Sequence, residues 1–350
     1  MTWNSRSYRS NTASDASRPG PLDWPPARLA AHPFGNSRPE VHALRMPLSP
    51  NDWLSTRLTY GITPPKASFT EDRRREVAEI QSRRIRTLPI DALVVYDLQD
   101  ESSRTQAKRP FPFMQAIDPL EYALDYLDVP QRKIVYRSVS GQDEALLSDW
   151  LRRLEAQGGA AVLVGAPSSQ QAVRLKLRDA YALCAKAAPA LPLGGVLIAE
   201  RHRQRASEDA RVLKKMERGC SLFISQAVYS VTQSKDVLSD LHYRCLAEER
   251  PMPPILMTLT PCGSRKTLEF LAWLGISVPR WLQNDLAHAD DILEASVEAS
   301  LSAFNELHAF ADAKGFALGC NIESVSTRKA EIEASVEMVY RAAEIMGRNS

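Results

Sequence analysis

Short apolar runs alternate with amphipathic helical patterns eight times between Arg57 and the end of the chain. Alternation of this kind favours parallel βα units over a β-sandwich, and eight units in this order close into a barrel. The chain has 350 residues, which fits one barrel of about 250 residues with extensions. We therefore predict the α/β class, with a single (βα)8 TIM barrel that carries its active residues at the carboxyl ends of the strands.

The predicted strands are Arg57–Thr63, Ala92–Leu98, Lys133–Val139, Ala160–Gly165, Gly195–Ala199, Leu222–Gln226, Pro254–Thr260 and Ala317–Ile322. The predicted helices are Glu71–Leu88, Leu120–Leu127, Glu144–Gln157, Gln170–Ala188, Ser207–Arg218, Val237–Glu248, Lys266–Trp273 and Arg328–Met346. We expect Val278–Lys314 to add one or two helices before the eighth strand. Residues 1–52 show no sustained period and are expected to form a disordered or loosely docked extension, with the barrel domain at 53–350.

The charge balance predicts a small-molecule partner. Charged residues make up 25% of the chain and the net charge is +2, so no strong field attracts nucleic acid or an acidic membrane surface. The five cysteines form no CxxC pair, and the longest apolar stretch, Ala187–Ala199, is too short to cross a bilayer. We expect a cytoplasmic protein without membrane or nucleic-acid partners, and a homo-oligomer stays open.

Polar residues follow most of the predicted strands and should form a ring at one end of the barrel. The ring comprises Tyr60, Thr63, Asp97, Gln99, Asp100, Glu101, Arg137, Ser138, Ser168, Ser169, Glu200, His202, Gln226, Tyr229, Thr260, Cys262, Asn321, Glu323 and Ser324. Its Ser, Thr and Asp members could instead cap the following helices. No second His or Cys stands at metal spacing beside His202, so no metal site is expected.

The acids of this ring are the candidate catalytic residues: Glu200, Asp97, Glu101 and Glu323. A carboxylate that directly follows an apolar strand is costly unless it is paired or used. Glu200 is favoured as a general acid, because the apolar strand before it should raise its pKa. Bases follow Asp97 and Glu101 in a long loop that runs to Phe111 and Phe113; this loop is either a salt-bridged segment packed over the barrel mouth or a lid over substrate.

Two similar segments follow the seventh and eighth strands, each with small hydroxyl residues before Arg-Lys at a helix start. Backbone N–H groups and cations would then surround one point, where barrels commonly hold phosphate. The expected cofactor-binding residues are Ser264, Arg265, Lys266, Arg328 and Lys329. The alternative is ordinary helix capping with solvated bases. No GxGxxG or P-loop follows a strand, so a dinucleotide would bind without a Rossmann element.

Several segments match one family's pattern. They are Glu200-Arg201-His202, Glu208-Asp209, Leu213-Lys214-Lys215, Gly219, Ile224-Ser225-Gln226 with Tyr229, Leu274 to Leu282, and Pro64-Pro65. With these segments the chain resembles the methylenetetrahydrofolate reductase family from about Arg57 to its end. The resemblance implies a TIM barrel that reduces 5,10-methylenetetrahydrofolate to 5-methyltetrahydrofolate with NAD(P)H. It implies that Gln226 hydrogen-bonds the pterin, and we expect His202, Tyr229 and Tyr60 to join it in binding substrate.

The chain departs from this family at three places. Gly61 stands where the family has a catalytic Glu, Val164-Gly165-Ala166 replaces an Arg-Gly-Asp, and Asp97–Glu101 replaces a glycine-rich turn. We therefore expect no tightly bound FAD. Two hypotheses stay open: a flavin-independent reductase whose acid comes from another strand, or a protein that kept the pterin cleft for pterin-dependent methyl transfer or for non-catalytic folate binding.

Overall fold

Eight parallel strands form a closed barrel, and each pairs with the next along the chain while the last pairs with the first. The computed structural model describes residues 53–101, 105–166, 172–205 and 207–348. The strands are β1 Leu58–Ile62, β2 Ala92–Val95, β3 Arg132–Ser138, β4 Ala160–Val164, β5 Leu193–Leu197, β6 Cys220–Ala227, β7 Ile255–Leu259 and β8 Leu318–Glu323. The predicted (βα)8 barrel is confirmed. The predicted extension at 1–52, and Ser168 and Ser169, lie outside the described residues.

The helices are α1 Glu71–Ile85, α2 Pro119–Glu121, α3 Glu144–Ala156, α4 Leu177–Ala187, α5 Ala199–Arg205, α6 Glu208–Met216, α7 Val231–Ala247, α8 Arg265–Trp273, α9 Arg280–His288, α10 Ile292–Lys314 and α11 Lys329–Ile345. A π-helical turn at Tyr122–Tyr126 continues α2. The short helix α5 was not predicted, since its residues were assigned to a loop. None of the described helices combines the length and the apolar character needed to cross a bilayer.

The helix that closes the seventh βα unit is not the predicted one. The structure assigns this position to α10, which packs against β7, β8, α7 and α11. Helix α8 has nine residues, about 13 Å, whereas α10 has 23, about 34 Å. The insertion is therefore α8 and α9, residues 265–288, and not Val278–Lys314. The prediction chose the helix that directly follows the seventh strand along the chain, and periodicity alone does not show which helix packs on the barrel.

The amino end of the barrel interior is sealed by an aromatic plug. Trp53 lies in a short 3-10 helix just before β1 and is 4% exposed. Its indole packs with inward-facing apolar side chains from the first residues of several strands, including Ala92, Ala160 and Leu256. The guanidinium of Arg132 covers the ring at 4.3 Å from its centroid. This end of the interior is filled by apolar side chains.

Polar side chains replace the apolar ones higher in the interior. The Thr59 hydroxyl donates to Asn321 Oδ1 at 2.9 Å, and Asn321 Nδ2 donates to the Tyr96 hydroxyl at 2.8 Å and to Thr258 Oγ1 at 3.3 Å. Asn321 is fully buried, so these partners satisfy a group that would otherwise be costly to bury. The network leads from the middle of the barrel toward its carboxyl end.

Candidate functional site

Five side chains among the described residues lie at the carboxyl end of the strands and stay partly exposed, and we call this set the mouth floor. Its members are Tyr96, Val164, Val196, Gln226 and Glu323. Tyr96, Val164 and Val196 pack on the apolar interior below them, and strand alternation places Glu323 on the same face as Asn321. Gln226 lies in a register shift of β6 between Ile224 and Ala227, at the edge of the floor beside the cap. The floor thus combines an aromatic ring, two apolar side chains, an amide and a carboxyl group.

Tyr96 and Glu323 form the polar pair of the mouth floor. The Tyr96 hydroxyl accepts a hydrogen bond from Asn321 Nδ2, and it lies close enough to the Glu323 carboxyl group to influence its pKa. The Tyr96 ring lies 4.8 Å from that of Tyr136, centroid to centroid. Burial raises the pKa of Glu323 to about 7, and Tyr96 only partly opposes this. Glu323 therefore changes its protonation state near neutral pH.

Gly61 makes room for this pair. It lies beside Glu323 in the pairing of β1 with β8. A Cβ atom at position 61 would stand 2.7 Å from Tyr96 Cε2 and 3.2 Å from Glu323 Cβ, closer than such atoms approach. A larger residue here would displace the Tyr96 ring, so the position of Tyr96 beside Glu323 requires a glycine at position 61.

Helices α8 and α9 cover one side of the mouth, and we call residues 265–288 the cap. An apolar cluster beneath them includes Leu271, Ile276, Val278 and Leu282, packed on Ala227 at the end of β6. Polar side chains from the barrel hold the turn between the two helices. Gln226 Nε2 donates to the Leu274 carbonyl at 2.9 Å, Gln233 Nε2 donates to Ser277 Oγ at 3.1 Å, and the Ser277 N–H donates to Glu200 Oε1 at 3.0 Å.

The long loop after β2 covers another side, and we call residues 105–118 the strap. Its Ala107 carbonyl accepts a hydrogen bond from Trp273 Nε1 at 3.0 Å, and Phe111 contacts Phe270 edge to face at 5.3 Å. The Arg109 guanidinium lies 5.3 Å from the Phe270 centroid and 5.1 Å from the Trp273 centroid. The strap therefore docks on α8, which makes the predicted packing of this loop over the barrel correct in outline.

The strap returns to the barrel beside the loop after β1. The Ala67 N–H donates to the Gln115 carbonyl at 2.8 Å, and the Ile117 N–H donates to the Pro65 carbonyl at 3.1 Å. An open cleft of about 420 Å³ lies between this part of the strap and the end of β2, lined among others by Asp97, Phe113, Asp118 and Arg137. Its charged side chains make it polar, in contrast with the mouth floor.

Asp97 lines this cleft, but the fold already uses both of its oxygens. Oδ2 accepts from the Ser138 N–H at 2.8 Å and Oδ1 from Gln99 Nε2 at 2.9 Å. Burial raises its pKa, opposed by the Ser138 N–H and by Arg137. Glu101 and Asp100 lie close enough to Arg109 to oppose the lowering of its pKa by burial. These acids tie the strap to the barrel.

Glu200, the favoured general acid, supports the cap. It lies in the first turn of α5, and burial raises its pKa while the Ser277 N–H opposes the shift. The predicted direction of the pKa shift is thus found. The geometry nevertheless gives this carboxylate a structural partner and places Glu323, another of the four predicted acids, in the mouth floor.

Three of the predicted substrate-binding residues point away from the mouth. The Tyr60 hydroxyl bonds with Ser335 Oγ on α11 at 2.9 Å, so its ring lies in the layer between barrel and helices. Tyr229 donates to the Thr260 carbonyl at 2.6 Å in the cluster under the cap. His202 Nε2 lies 3.0 Å from Asp240 Oδ2 on α7. These three side chains therefore lie outside the mouth floor in the structure.

The segments predicted to bind phosphate lie together, yet a buried carboxylate fills the space between them. Glu331 Oε1 accepts from the Gly263 N–H at 2.7 Å and from Thr267 Oγ1 at 2.9 Å. Ser264 is the N-cap of α8, accepting from the Thr267 N–H. Because a fully buried Glu331 already supplies negative charge here, the geometry disfavours a phosphate at this point.

The cations of these segments have protein partners as well. Arg265 donates to the Ala287 carbonyl at 2.9 Å, and Arg328 donates to the Gly263 carbonyl at 3.1 Å. Lys266 lies 4.8 Å from the centroid of the Phe111 ring, and Lys329 pairs with Glu333 at 3.5 Å. The capping alternative describes these residues better than the phosphate prediction. Among the described residues, no group of three His, Cys, Asp or Glu side chains could hold a metal ion.

The Glu208 to Lys215 segment, part of the resemblance, holds the end of β5. Glu208 Oε1 accepts from the Ile198 N–H at 3.2 Å, and Lys215 Nζ donates to the Val196 carbonyl. Burial lowers the pKa of Lys215, which Glu208 partly offsets. Two charged side chains thus fix the backbone beside Val196. Neither side chain belongs to the mouth floor, but both fix the backbone that carries Val196.

One solved structure is similar to most of this chain. It is an uncharacterized protein from Clostridium thermocellum that binds two copies of 5-methyl-5,6,7,8-tetrahydrofolic acid, with 46% sequence identity and a TM-score of 0.72. The similarity covers 83% of this chain and 96% of that one. This chain belongs to the same family as that protein.

Other similar structures are much more remote. An EDTA monooxygenase from Chelativorans sp. BNC1 has 10% identity and a TM-score of 0.47, covering 84% of this chain and 94% of its own. A dihydropteroate synthase from Xanthomonas albilineans has 14% identity and a TM-score of 0.41, with the same coverage of 84% and 94%. No family model and no curated protein matches the chain.

Sequence reasoning did not identify Tyr96, Val164 and Val196 as floor residues. Val164 is the last residue of β4, Val196 is the last but one of β5, and Tyr96 lies just beyond β2. Extending the period-two alternation to the last residue of each strand would have found them. Attention to polar residues alone left out the apolar part of the floor.

Proposed function

We propose that this protein binds a reduced folate, 5-methyltetrahydrofolate or a close relative, with the pterin ring on the mouth floor. The observation that carries the proposal is membership of one family with a protein that binds 5-methyl-5,6,7,8-tetrahydrofolic acid, at 46% identity. Sequence identity at this level over a whole barrel usually preserves the mouth as well as the fold. Folate binding fits both hypotheses left open by the sequence.

The chemistry of the mouth floor supports this ligand class. A reduced pterin has a planar pyrimidinone ring with hydrogen-bonding groups along one edge, fused to a puckered and less polar ring. The floor offers Tyr96, Val164 and Val196 as contact surface, together with the carboxyl group of Glu323. Ligand sites are mostly apolar with a few placed polar groups. Strap and cap add walls on two sides.

Isothermal titration of the full chain with 5-methyltetrahydrofolate tests the proposal. We expect saturable binding by the wild type, and the titration also gives the number of sites. Val196→Trp should abolish binding to the floor, because the indole would fill the space above it. Val173→Trp, at a side chain that is 45% exposed, is the matched control and should bind as the wild type does. No saturable binding by the wild type would refute the proposal.

Reduction of 5,10-methylenetetrahydrofolate is the second candidate function. The observation that favours it is Glu323, an acid in the mouth floor with a pKa raised to about 7. Such a group can deliver a proton to a folate nitrogen at neutral pH. The segments predicted to hold a dinucleotide phosphate do not fit one, because Glu331 occupies their donors. No dinucleotide step is therefore derived.

An assay of NAD(P)H oxidation separates an enzyme from a binding protein, and an absorbance spectrum tests for flavin. Oxidation of NADH or NADPH that depends on 5,10-methylenetetrahydrofolate would establish a reductase, and Glu323→Gln should then slow it by about 100-fold. Folate binding without such oxidation would favour the non-catalytic or methyl-transfer alternative. The absorbance spectrum of the purified protein tests the expectation on FAD: a stoichiometric flavin band would contradict it.

A further inference from the structure

The Glu323 carboxyl group has fewer protein partners than the other acids of the barrel mouth. Tyr96 is the side chain that opposes its raised pKa, and no basic side chain among the described residues forms an ion pair with it. Both oxygens of Asp97 accept hydrogen bonds, and Glu200 accepts from the cap. Each Glu323 oxygen can accept more than one hydrogen bond, so acceptor capacity is left toward the mouth.

The mouth floor is polar on one side and apolar on the other. In a closed barrel of eight strands, β4 and β5 lie across from β8 and β1. Val164 and Val196 therefore face Glu323 across the floor. Gln226 lies between these sides, but its amide nitrogen donates to the Leu274 carbonyl of the cap. A flat ligand gains most when its hydrogen-bond donors lie toward β8 and its apolar side toward β4 and β5.

We infer that the Glu323 carboxylate binds the donor edge of the pterin, accepting hydrogen bonds from the ring N3–H and the 2-amino group. The inference rests on the proposed function and deepens it by assigning the specificity-determining residue. These two donors are adjacent and parallel, as in a guanidinium group, and a carboxylate accepts such a pair through both oxygens. The Tyr96 ring and Glu323 both lie against Gly61, which leaves the space that Tyr96 needs beside the carboxylate.

A carboxylate at this position selects against folates that lack the donor edge. A ligand without the 2-amino group would leave a desolvated carboxylate oxygen without a partner, which costs more than a lost contact with an exposed group. An amide at the same position offers one acceptor and one donor, and it would place its N–H groups against a donor of the ligand. Glu323→Gln therefore changes the chemistry with little change in shape.

The pH dependence of binding follows from the ionisation of Glu323. The other titratable groups that face it are Tyr96 and Tyr136, whose pKa values burial raises further, so both stay neutral near pH 7. Since the pKa of Glu323 is raised to about 7, the carboxyl group is mostly protonated at pH 6 and loses acceptor capacity. We expect 5-methyltetrahydrofolate to bind about tenfold more weakly at pH 6 than at pH 8.

The experiment is isothermal titration of the wild type, Glu323→Gln and Glu333→Gln at pH 6, 7 and 8. Glu333 lies on α11 with an exposed side chain, so Glu333→Gln is the matched control. We expect Glu323→Gln to bind 5-methyltetrahydrofolate about 10- to 100-fold more weakly at pH 8 and to lose the pH dependence. If the wild type has two sites, one binding phase should change and the other should not.

An analogue with a methyl group in place of the 2-amino group completes the test. The wild type should bind the analogue weakly, and Glu323→Gln should weaken it little further, because the same contact is already absent. Thermal unfolding verifies that the variants are folded, and Glu323→Asp serves as a second variant that keeps the charge but shortens the side chain. Wild-type affinity and pH dependence in Glu323→Gln would overturn the inference while leaving folate binding intact. No binding by the wild type would overturn the proposed function itself.

Discussion

The two ends of the barrel interior are built from the same strands but have opposite chemistry. At the amino end, Trp53 and small or aliphatic side chains form an apolar plug. At the carboxyl end, Asn321 and Tyr96 lead to a carboxyl group whose pKa lies near neutrality. The difference, together with the proposed site, teaches that stability and binding should be separated along the barrel axis, since such barrels carry their active sites at the carboxyl end. Substitutions at each end should therefore have separable effects.

Removing the amino-end plug should have the largest effect on stability. Trp53→Ala should lower the free energy of unfolding by about 3–5 kcal/mol, since it empties a large buried site. Denaturant unfolding measures this. Leu54→Ala, at a neighbouring side chain that is 53% exposed, should change it by less than about 0.5 kcal/mol. Weakened folate binding by folded Trp53→Ala would break the separation between the two ends.

Glu331→Ala should destabilise the carboxyl end by about 2–4 kcal/mol, because the Gly263 N–H and the Thr267 hydroxyl lose a buried acceptor. Denaturant unfolding again measures the change, with Glu333→Ala as the exposed control. A change below about 0.5 kcal/mol would mean that the loop before α8 finds other acceptors. In that case the argument against a phosphate at this loop would weaken.

Glu323→Gln should stabilise the free protein at alkaline pH. The pKa of Glu323 is raised from 4.5 to about 7 in the folded chain. Its ionisation therefore opposes folding, and the wild type loses stability as pH rises through this window. The variant has no such loss. Its advantage over the wild type should be about 1–3 kcal/mol greater at pH 8 than at pH 4, measured by thermal or denaturant unfolding. An equal difference at both pH values would contradict the assigned pKa.

Gln226→Ala should have the smallest effect on stability, about 1 kcal/mol, because one hydrogen bond to the cap is lost. We expect faster hydrogen exchange at residues 274–278, and folate affinity should fall as the cap loosens. Gln157→Ala, at an exposed residue after α3, is the control. Unchanged exchange together with weaker binding would instead mean that Gln226 contacts the pterin directly, as the resemblance implies.

The sequence predicted the barrel because each βα unit carries its own local pattern. It did not show which face of a fully buried strand turns inward. All five residues of β1 are buried, so Tyr60 could not be distinguished from Thr59 or Gly61 by its pattern. Glu331 was missed for a related reason: a Glu in an amphipathic helix is normally exposed, and the loop that buries it lies 68 residues away along the chain.

The site was predictable in part, and the limit lies in the direction of side chains. Glu323 and Gln226 were identified because they end strands, and the barrel brings strand ends together. His202 was misassigned because the short helix α5 turns it toward Asp240 on α7. Glu200 was favoured as the general acid because of the apolar strand before it. Its hydrogen-bond partner, the Ser277 N–H, belongs to the cap, and the prediction did not place α8 in a cap. Long-range contacts of this kind leave no local signal.

Helix α8 has a consequence for both coverings of the mouth. On one side of α8, Leu271 packs in the apolar cluster beneath the cap. On another side, Phe270 and Trp273 contact the strap. The two coverings of the mouth therefore share one element, and neither can swing aside without disturbing the contacts of the other. A substitution in α8 would therefore alter both coverings at once, although this helix contributes no residue to the mouth floor.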